Sequence, residues 1–340
     1  MLLVAVLAGC GRSMPTNVPR PVPPMFDVMD WPYDITRDGR TLIYRHRPSK
    51  DLIGGVYMLS TDPGSRPTLL YADSLPFFVN DCRLSPDGSK ITYTRDFRSD
   101  IYVLNVKDGT DTRVTFTDGN ARAPDWDPTG RWIVYMRVML TYGEPDSIGG
   151  IHIVDTETLE DRTFRAQGSI VFGADPRWSP DSLLITYSVG TRLENGRTPD
   201  HIYVAKSNGT GTTDITPNEY TRNDEYPLWL GPSEGLVFES YGWYSAFDHT
   251  SQMIRADGSG RTTLAADLRP YIGFAAVAPT VKKFVYTGPD SSGKWGVVLL
   301  RDLNDGTGST VRQLTVYLPP SDLSAALSSV DPFQERLGRR

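Results

Sequence analysis

A turn followed by an apolar strand recurs along the chain, and this repeat limits what the chain can fold into. Six copies are present: ITRDGRTLIYRH (35–46), LSPDGSKITYTR (84–95), WDPTGRWIVYMR (126–137), WSPDSLLITYSV (178–189), LGPSEGLVFES (230–240) and VAPTVKKFVYTG (277–288). In these turns Pro presets φ at the first central position, and Asp, Thr or Gly suits the positions that follow. The copies therefore predict equivalent hairpins.

The spacing of the copies predicts the architecture. The residue after the proline position gives one anchor per copy, and the anchors are Asp38, Asp87, Thr129, Asp181, Ser233 and Thr280. Successive anchors are 49, 42, 52, 52 and 47 residues apart. A period of about 40–50 residues is typical of a four-stranded propeller blade.

The rest of each period also reads as short strands joined by tight turns. A second β-rich run follows each hairpin, as in GVYMLS (55–60), GIHIVD (150–155) and HIYVAKS (201–207), and a fourth short element follows that. Such a meander cannot bury both of its faces alone, whereas six meanders stacked radially can. We predict an all-β fold, a six-bladed β-propeller of four-stranded antiparallel blades spanning residues 30–317.

Large rings and one cysteine fall on the predicted inner strands. Trp126 and Trp178 precede the turn, and Trp229 lies close to the same place. We expect these rings to wedge between adjacent blades. Cys82 has no neighbouring His or Lys to activate it, and we expect a small buried hydrophobic residue there.

The N-terminal segment suggests a membrane anchor. MLLVAVLAGC (1–10) resembles a bacterial lipobox, the signal after which the cysteine, here Cys10, is lipidated. Residues 11–29 begin with a Pro-rich stretch that favours polyproline II and reads as a tether. Residues 318–340 read as a C-terminal tail with a short helix starting near Asp322.

The repeat resembles that of TolB-type, WD-related β-propellers, whose pattern is close to W-S-P-D-G followed by an apolar strand. Leu84–Gly88 and Trp178–Asp181 carry the strongest resemblance, with Ile101–Val103 and Ile202–Val204 on the strands downstream. The resemblance implies the propeller fold and is weak for function. TolB resembles a two-domain protein, with an α/β domain before its propeller. Because that domain is not part of the resemblance, the role of TolB in envelope maintenance is not carried over to this chain.

Composition and motifs argue against several classes of function. The net charge is −6, and no cluster of Lys and Arg stands out in the sequence. Binding to nucleic acid needs a basic surface, so a nucleic-acid partner is excluded. GPSEG (231–235) formally matches the G-x-S-x-G elbow of serine hydrolases but occupies a blade turn. The histidines show no zinc-binding spacing, so we expect no metal and no cofactor.

Candidate binding residues lie in the loops that enter the inner strands, around the predicted channel mouth. They are Asp81, Arg122, Asp175, Asp224 and Glu225. Asp81 and Asp175 stand at the same distance before their turns, and an acidic mouth suits a basic peptide or a cation.

An aromatic segment in the fifth copy adds a second candidate surface. Trp243 and Tyr244 could stack on a sugar or a peptide, or could cover a blade edge.

These observations predict a non-catalytic protein-interaction scaffold, lipid-anchored in the bacterial envelope with a lean towards the outer membrane. The partner would be another envelope protein or a peptide. Two alternatives stay open. One is a carbohydrate- or peptide-processing enzyme with channel carboxylates as acid and base. The other is a structural protein that self-assembles into oligomers or filaments.

Overall fold

The chain builds six four-stranded antiparallel sheets. The structure is a computed structural model, and it describes residues 29–47, 54–72, 79–95, 100–117, 121–137, 150–166, 175–190, 199–217, 222–231, 235–242, 249–264, 275–293, 295–304 and 310–315. No helix within these ranges is long and apolar enough to cross a bilayer. The predicted lipobox, tether and C-terminal tail lie outside these residues.

The first three blades come from the N-terminal half of the described chain. Blade 1 contains β1 (Met29–Ile35), β2 (Thr41–Arg47), β3 (Gly55–Ser60) and β4 (Thr68–Ala72). Blade 2 contains β5 (Val79–Leu84), β6 (Lys90–Arg95), β7 (Ile101–Asn105) and β8 (Asp111–Arg113). Blade 3 contains β9 (Ala121–Trp126), β10 (Trp132–Arg137), β11 (Gly150–Asp155) and β12 (Asp161–Ala166).

The other three blades follow in chain order. Blade 4 contains β13 (Arg177–Trp178), β14 (Leu184–Gly190), β15 (Asp200–Lys206) and β16 (Thr213–Asp214). Blade 5 contains β17 (Arg222–Gly231), β18 (Gly235–Gly242), β19 (His249–Ile254) and β20 (Thr262–Thr263). Blade 6 contains β21 (Ala275–Ala278), β22 (Lys283–Pro289), β23 (Trp295–Asp302) and β24 (Val311–Gln313).

Each blade is a simple meander of consecutive strands, and the first strands of neighbouring blades lie side by side around a central channel. The ring closes where β1 packs against β21, β22 and β23 of blade 6. Among the described residues every sheet uses four consecutive strands, so within them the closure is made by contacts between side chains and backbone and no strand is shared. The predicted six-bladed propeller is confirmed.

Six apolar cores hold the ring together, one at each junction between neighbouring blades. Side chains alternate along a strand, so successive residues enter different cores. Ile43 packs towards blade 2, whereas Leu42 and Tyr44 pack towards blade 6. Burying one such large side chain stabilises the fold by about 1.5–3 kcal/mol. The strand alternation in the repeats therefore encodes the stacking of blades.

The predicted tryptophan wedges are confirmed, and Cys82 is a buried core residue as expected. Trp126, Trp178 and Trp229 are each buried between their own blade and the preceding one. The Trp126 indole N–H donates to the Arg83 carbonyl at 3.3 Å, and the Trp229 indole donates to the Arg177 carbonyl at 3.1 Å. These rings fix the spacing of the inner strands as well as filling the cores.

Polar side chains organise the turn that joins the first two strands of a blade. In blade 2, the Ser85 hydroxyl donates to Asp87 at 2.6 Å and accepts from the Lys90 amide at 2.9 Å. Asp87 accepts from the Ser89 amide at 3.0 Å, and these bonds, the Ser85 hydroxyl first, hold the pKa of its carboxyl below the ordinary value. Blades 1 and 4 repeat the arrangement with Thr36–Asp38 and Ser179–Asp181.

Blade 3 reverses the two residue types of this turn. Asp127, which is 2% exposed, accepts from the amides of Arg131 and Trp132, and from the Thr129 hydroxyl at 2.6 Å. The pair thus reads Asp-x-Thr where the other copies read Ser/Thr-x-Asp. Either order satisfies the same backbone amides of the turn.

The strand pairs that flank the turn are seven positions apart in blades 4 and 5, as Trp178 with Ile185 and Trp229 with Leu236 show. In blade 5 the register shifts between Trp229 and Gly231. The fifth anchor, Ser233, lies outside the described residues, so its place in the turn stays a prediction.

We expect Asp127→Ala to destabilise the fold by about 2–4 kcal/mol, because it leaves buried amides of the blade 3 turn without acceptors. The double variant Asp127→Ser/Thr129→Asp copies the blade 2 order and should recover most of this loss. Urea unfolding followed by tryptophan fluorescence measures both.

Asp108→Ala is the matched control for this prediction, because Asp108 makes the same kind of turn bond to Thr110 on the exposed outer surface. Its effect should be much smaller than that of Asp127→Ala. Equal losses in the two variants would contradict the role given to the inner turn.

Candidate functional site

The central channel is lined by one equivalent position from each inner strand. This position directly precedes the residue that packs between blades, which we call the wedge residue: Ile35, Leu84, Trp126, Trp178, Trp229 and Val277. We call the six lining residues the channel ring: Asp34, Arg83, Asp125, Arg177, Leu228 and Ala276. The first four alternate in charge from blade to blade, and the last two are apolar. This pattern was not predicted from the sequence. Aligning the residue before each wedge position would have exposed it, because the alternation is visible there.

The two acids of the channel ring tie neighbouring blades together. Asp34 accepts from the Leu84 amide at 2.8 Å and from the Ile35 amide at 2.9 Å. Asp125 accepts from the Trp178 amide at 2.8 Å. Burial raises the pKa of Asp34 to about 6 and also raises the pKa of Asp125. Each acid therefore serves mainly as an acceptor for the backbone of the next blade.

One side chain spans the channel at the end where the turns lie. The Arg37 guanidinium on blade 1 donates to the Pro180 carbonyl on blade 4 at 3.2 Å, so it links blades on opposite sides of the ring. Burial lowers the pKa of Arg37, and the carboxylate of Asp125 acts in the opposite direction. We call this side of the channel the turn end and the other side the loop end.

Four carboxyl groups converge at the loop end, and we call them the acidic mouth: Asp81, Asp175, Asp200 and Glu225. Asp81 and Asp175 occupy equivalent positions two residues before the channel-ring arginines. Burial raises the pKa of Asp175, and the negative charges of Asp81 and Glu225 raise it further, although Arg177 acts in the opposite direction. The mouth therefore concentrates negative charge on the channel axis.

A shared irregularity of the inner strands shapes this end. Asp81, Ala123 and Tyr226 occupy equivalent positions with φ of 52°, 50° and 54°, each where the register between the first two strands shifts. Bulges of this kind re-aim neighbouring side chains. Asp81 accepts from the Ala123 amide at 3.3 Å, so it also links blades 2 and 3.

Asp200 and Glu225 form a directly interacting acid pair between blades 4 and 5. Asp200 is 6% exposed, and its Oδ1 has no hydrogen-bond partner among the described residues. Burial, followed by the hydrogen bond and the charge of Glu225, raises the pKa of Asp200 to about 9. The Tyr241 hydroxyl donates to Glu225 at 2.7 Å. The two carboxyl groups thus share a hydrogen bond, and the shift favours the protonated form of Asp200.

The predicted binding residues are placed in different environments. Asp81, Asp175 and Glu225 are half-buried members of the acidic mouth, and Arg122 lies half-buried on β9. Asp224 is fully buried, and its carboxylate accepts from the Arg261 guanidinium at 2.9 Å and 3.0 Å. We expected this carboxylate to face the mouth, but it faces Arg261 instead. Asp200 was missed because its position depends on how blades 4 and 5 pack.

Three of the predicted site residues are not placed by the structure. Trp243 and Tyr244 lie outside the described residues, and so does Cys10. The binding roles of the first two and the lipidation of the third therefore stay predictions.

The arrangement does not supply a hydrolase elbow at 231–235. β17 ends at Gly231 and β18 begins at Gly235, so the motif joins two antiparallel strands, whereas an elbow joins a strand to a helix. Within the described ranges, no group of three His, Cys, Asp or Glu side chains is placed to hold a metal ion.

The Asp200 pair predicts a measurable pH dependence. A raised pKa in the folded state means that the unfolded chain releases the proton first, so this acid lowers stability as pH rises from about 4 towards 9. Asp200→Asn keeps a donor for Glu225 without an ionisable proton. We expect the variant to be about 1–3 kcal/mol more stable than the native protein at pH 8 and nearly equal to it at pH 4.

Urea unfolding at pH 4, 6 and 8 tests this, with the exposed Glu160→Gln as the control that should show no such trend. A loss of stability in Asp200→Asn at pH 8 would show that Asp200 is ionised and paired in the folded protein.

Two curated proteins resemble parts of this sequence. No family profile matches the chain. An uncharacterized protein of Agrobacterium fabrum is 37% identical over 82 residues, which are 24% of this chain and 27% of that protein. The uncharacterized peptidase YuxL of Bacillus subtilis is 28% identical over 135 residues, 36% of this chain and 19% of the peptidase. The matches thus cover about a quarter of the Agrobacterium protein and about a fifth of the peptidase.

Solved structures share the architecture over most of the chain. The putative TolB of Agrobacterium tumefaciens is 22% identical with a TM-score of 0.53, covering 70% of this chain and 81% of that one. TolB of Acinetobacter baumannii is 14% identical with a TM-score of 0.63, covering 82% and 64%. An oligogalacturonate lyase in complex with manganese is 16% identical with a TM-score of 0.56, covering 84% and 78%. At these identities the likeness shows the fold alone, which is the six-bladed β-propeller.

Proposed function

We propose that the chain is a non-catalytic interaction scaffold of the bacterial cell envelope that binds a partner protein or peptide through the acidic mouth. The observation that carries the proposal is the convergence of Asp81, Asp175, Asp200 and Glu225 at the loop end of the channel. The negative charges of Asp81, Asp175 and Glu225 cost free energy when they are held together in the free protein, and a cationic group of a partner relieves that cost. The partner surface that fits is therefore a basic segment.

The structure of the mouth suits binding in two ways. Asp81, Asp175 and Glu225 lie on or just before inner strands that pack tightly between blades, so little ordering is needed when a partner arrives. Tyr241, which is half-buried beside Glu225, adds an aromatic surface at the rim.

The envelope location rests on two expectations from sequence. The TolB-like fold is one, and the lipobox-like segment ending at Cys10 is the other. A tether of about 20 residues would hold the propeller tens of ångströms from the membrane, within reach of other envelope proteins. Lipid attachment would also concentrate the scaffold on the membrane where such partners lie.

A second function is favoured by one observation, the Asp200–Glu225 pair. Two carboxyl groups that share a proton can act as acid and base, and the shared propeller fold includes an oligogalacturonate lyase. A glycosidase-type site would need carboxyl groups about 5–10 Å apart, which is wider than a directly hydrogen-bonded pair. The pair therefore fits a binding role better than glycoside hydrolysis.

We expect charge removal at the mouth to abolish partner capture. Asp175→Asn/Glu225→Gln removes two negative charges while keeping the side-chain shapes, and it should weaken capture of a membrane-derived partner at least tenfold. The native interaction should also weaken as salt rises. Affinity capture from solubilised envelope membranes with the full chain, quantified by mass spectrometry, measures both effects.

Glu157→Gln/Glu160→Gln is the matched control, because it removes two exposed outer acids and should leave capture unchanged. The proposal is abandoned if the mouth variant captures its partner as well as the native chain does. It is also abandoned if the native chain turns over a glycan or peptide and Asp200→Asn stops that turnover.

The anchor is tested separately with the two cysteines. Cys10→Ser should move the protein from the membrane fraction to the soluble fraction and prevent incorporation of a labelled fatty acid. Cys82→Ser alters a residue that is 1% exposed in the core between blades 1 and 2, and it should leave membrane attachment intact. Retention of Cys10→Ser in the membrane would show that another feature holds the protein there.

A further inference from the structure

The acid pair of Asp200 and Glu225 gives the acidic mouth a property that fixed charges lack. Asp200 begins β15 of blade 4, and Glu225 lies on β17 of blade 5. The Asp200 amide donates to the Asn223 side chain at 3.3 Å, so β15 starts directly against β17. A hydrogen bond joins the two carboxyl groups. An ionised carboxylate only accepts hydrogen bonds, so this bond requires one proton between the two groups.

The surroundings of the pair hold this proton on it. Asp200 is 6% exposed, and its Oδ1 has no hydrogen-bond partner within the described residues. Ionisation of Asp200 would therefore leave a buried, charged oxygen unpaired, which costs more than an unpaired neutral one. The Tyr241 hydroxyl donates to Glu225 at 2.7 Å and stabilises the single negative charge of the pair there.

The charged groups on the neighbouring elements also disfavour a second negative charge on the pair. Burial first raises the pKa of Asp200, followed by the hydrogen bond and charge of Glu225, and then by the charges of Asp175 and Asp224. Glu239 lies opposite Glu225 on β18 and adds another acid. Basic side chains around the pair are directed to other groups, namely His201 to Asp214, Arg177 to Asp175, Arg222 to Ser240 and Arg261 to Asp224.

A cation that binds at the mouth changes this balance. Glu225 and Asp175 are half-buried, so a partner reaches them, whereas its effect on Asp200 passes through the hydrogen bond to Glu225. An opposite charge within about 4–6 Å lowers the pKa of a carboxyl group by about 1–3. The bound cation therefore favours the state in which both carboxyl groups are ionised, and the shared proton leaves to the solvent.

We propose that the acidic mouth exchanges a proton for the cationic group of its partner, so that binding releases the proton shared by Asp200 and Glu225. This inference rests on the proposed function, since it concerns how the same site takes a basic segment. Cation binding and proton release favour each other equally, because linkage between two ligands is reciprocal. The mouth therefore holds its partner more tightly as pH rises and releases it on taking up a proton.

Calorimetric titration of the full chain with tetra-arginine, acetylated at its N-terminus and amidated at its C-terminus, tests the exchange. Arginine stays charged over the whole range used, so this peptide has no proton of its own to exchange. Titrations at pH 8 in phosphate and in Tris count the protons released, because the two buffers take up a proton with different heats. We expect a release of about 0.4–0.9 proton per bound peptide.

The affinity measured between pH 6 and pH 9 gives a second readout. The native chain should bind tetra-arginine at least about fivefold more tightly at pH 9 than at pH 6. Asp200→Asn keeps a donor for Glu225 but has no proton to release. Its affinity should stay near that of the native chain at pH 6 throughout the series, and its proton release should disappear.

Asp81→Asn is the matched control, because it removes a negative charge of the mouth and leaves the acid pair unchanged. Asn also tolerates the left-handed backbone at this position, where φ is 52°. The affinity of Asp81→Asn should be lower than that of the native chain at every pH, while its proton release stays. The two variants thus separate the charge of the mouth from its exchangeable proton.

The possible results distinguish the exchange from binding itself. Binding without proton release, or with the same affinity at pH 6 and pH 9, would overturn the exchange and leave the mouth as a binding surface. Proton release that persists in Asp200→Asn would overturn its assignment to the acid pair. Failure of tetra-arginine to bind at any pH would overturn the proposed function, and the exchange with it.

Discussion

Packing between neighbouring blades is the constraint on which everything else in this protein depends. A four-stranded meander has two apolar faces and cannot cover either of them alone. Here each face is covered by the next blade, and the six resulting cores run around the ring. In the part of the chain that the structure describes, blades 1 and 6 share no strand and meet at the core that contains Leu42, Tyr44, Val285 and Val298.

Each inner strand carries both packing positions and channel positions. The wedge residue enters an inter-blade core, and the turn that follows is organised by Ser, Thr and Asp side chains. In blades 1 to 4 the residue before the wedge is a charged residue that lines the channel. The channel acids Asp34 and Asp125 also accept from the backbone of the next blade, so these positions join neighbouring blades as well as setting the charge of the channel. The result is an axis with acids at the loop end and excess arginine at the turn end.

The sequence predicted the fold well because its signals are local and repeated. Turn chemistry, the strand alternation and the wedge tryptophans each act within one blade or its neighbour, and six copies reinforce one another. Asp81 and Asp175 were placed at the mouth because they stand at equal distances from their turns. The register shift near Gly231 was not predicted, because such a shift is invisible in a pattern of residue types.

The site itself was predictable only in part, because it forms between blades. Asp200 starts the third strand of blade 4, and only the packing of β15 against β17 brings it to Glu225. The bulge near Tyr226 decides that Glu225 faces the mouth, while its neighbour Asp224 is buried against Arg261. Neither outcome follows from the spacing of residues, since adjacent strand positions exchange faces when the register shifts.

Hydrogen–deuterium exchange with and without a short oligolysine peptide tests whether the loop end of the channel is a surface for cationic partners. We expect slower exchange in the segments around Asp81, Asp175, Asp200 and Glu225, and no response to an oligoglutamate peptide of equal length. Protection confined to the outer strands or to the turn end, or equal protection by both peptides, would contradict it.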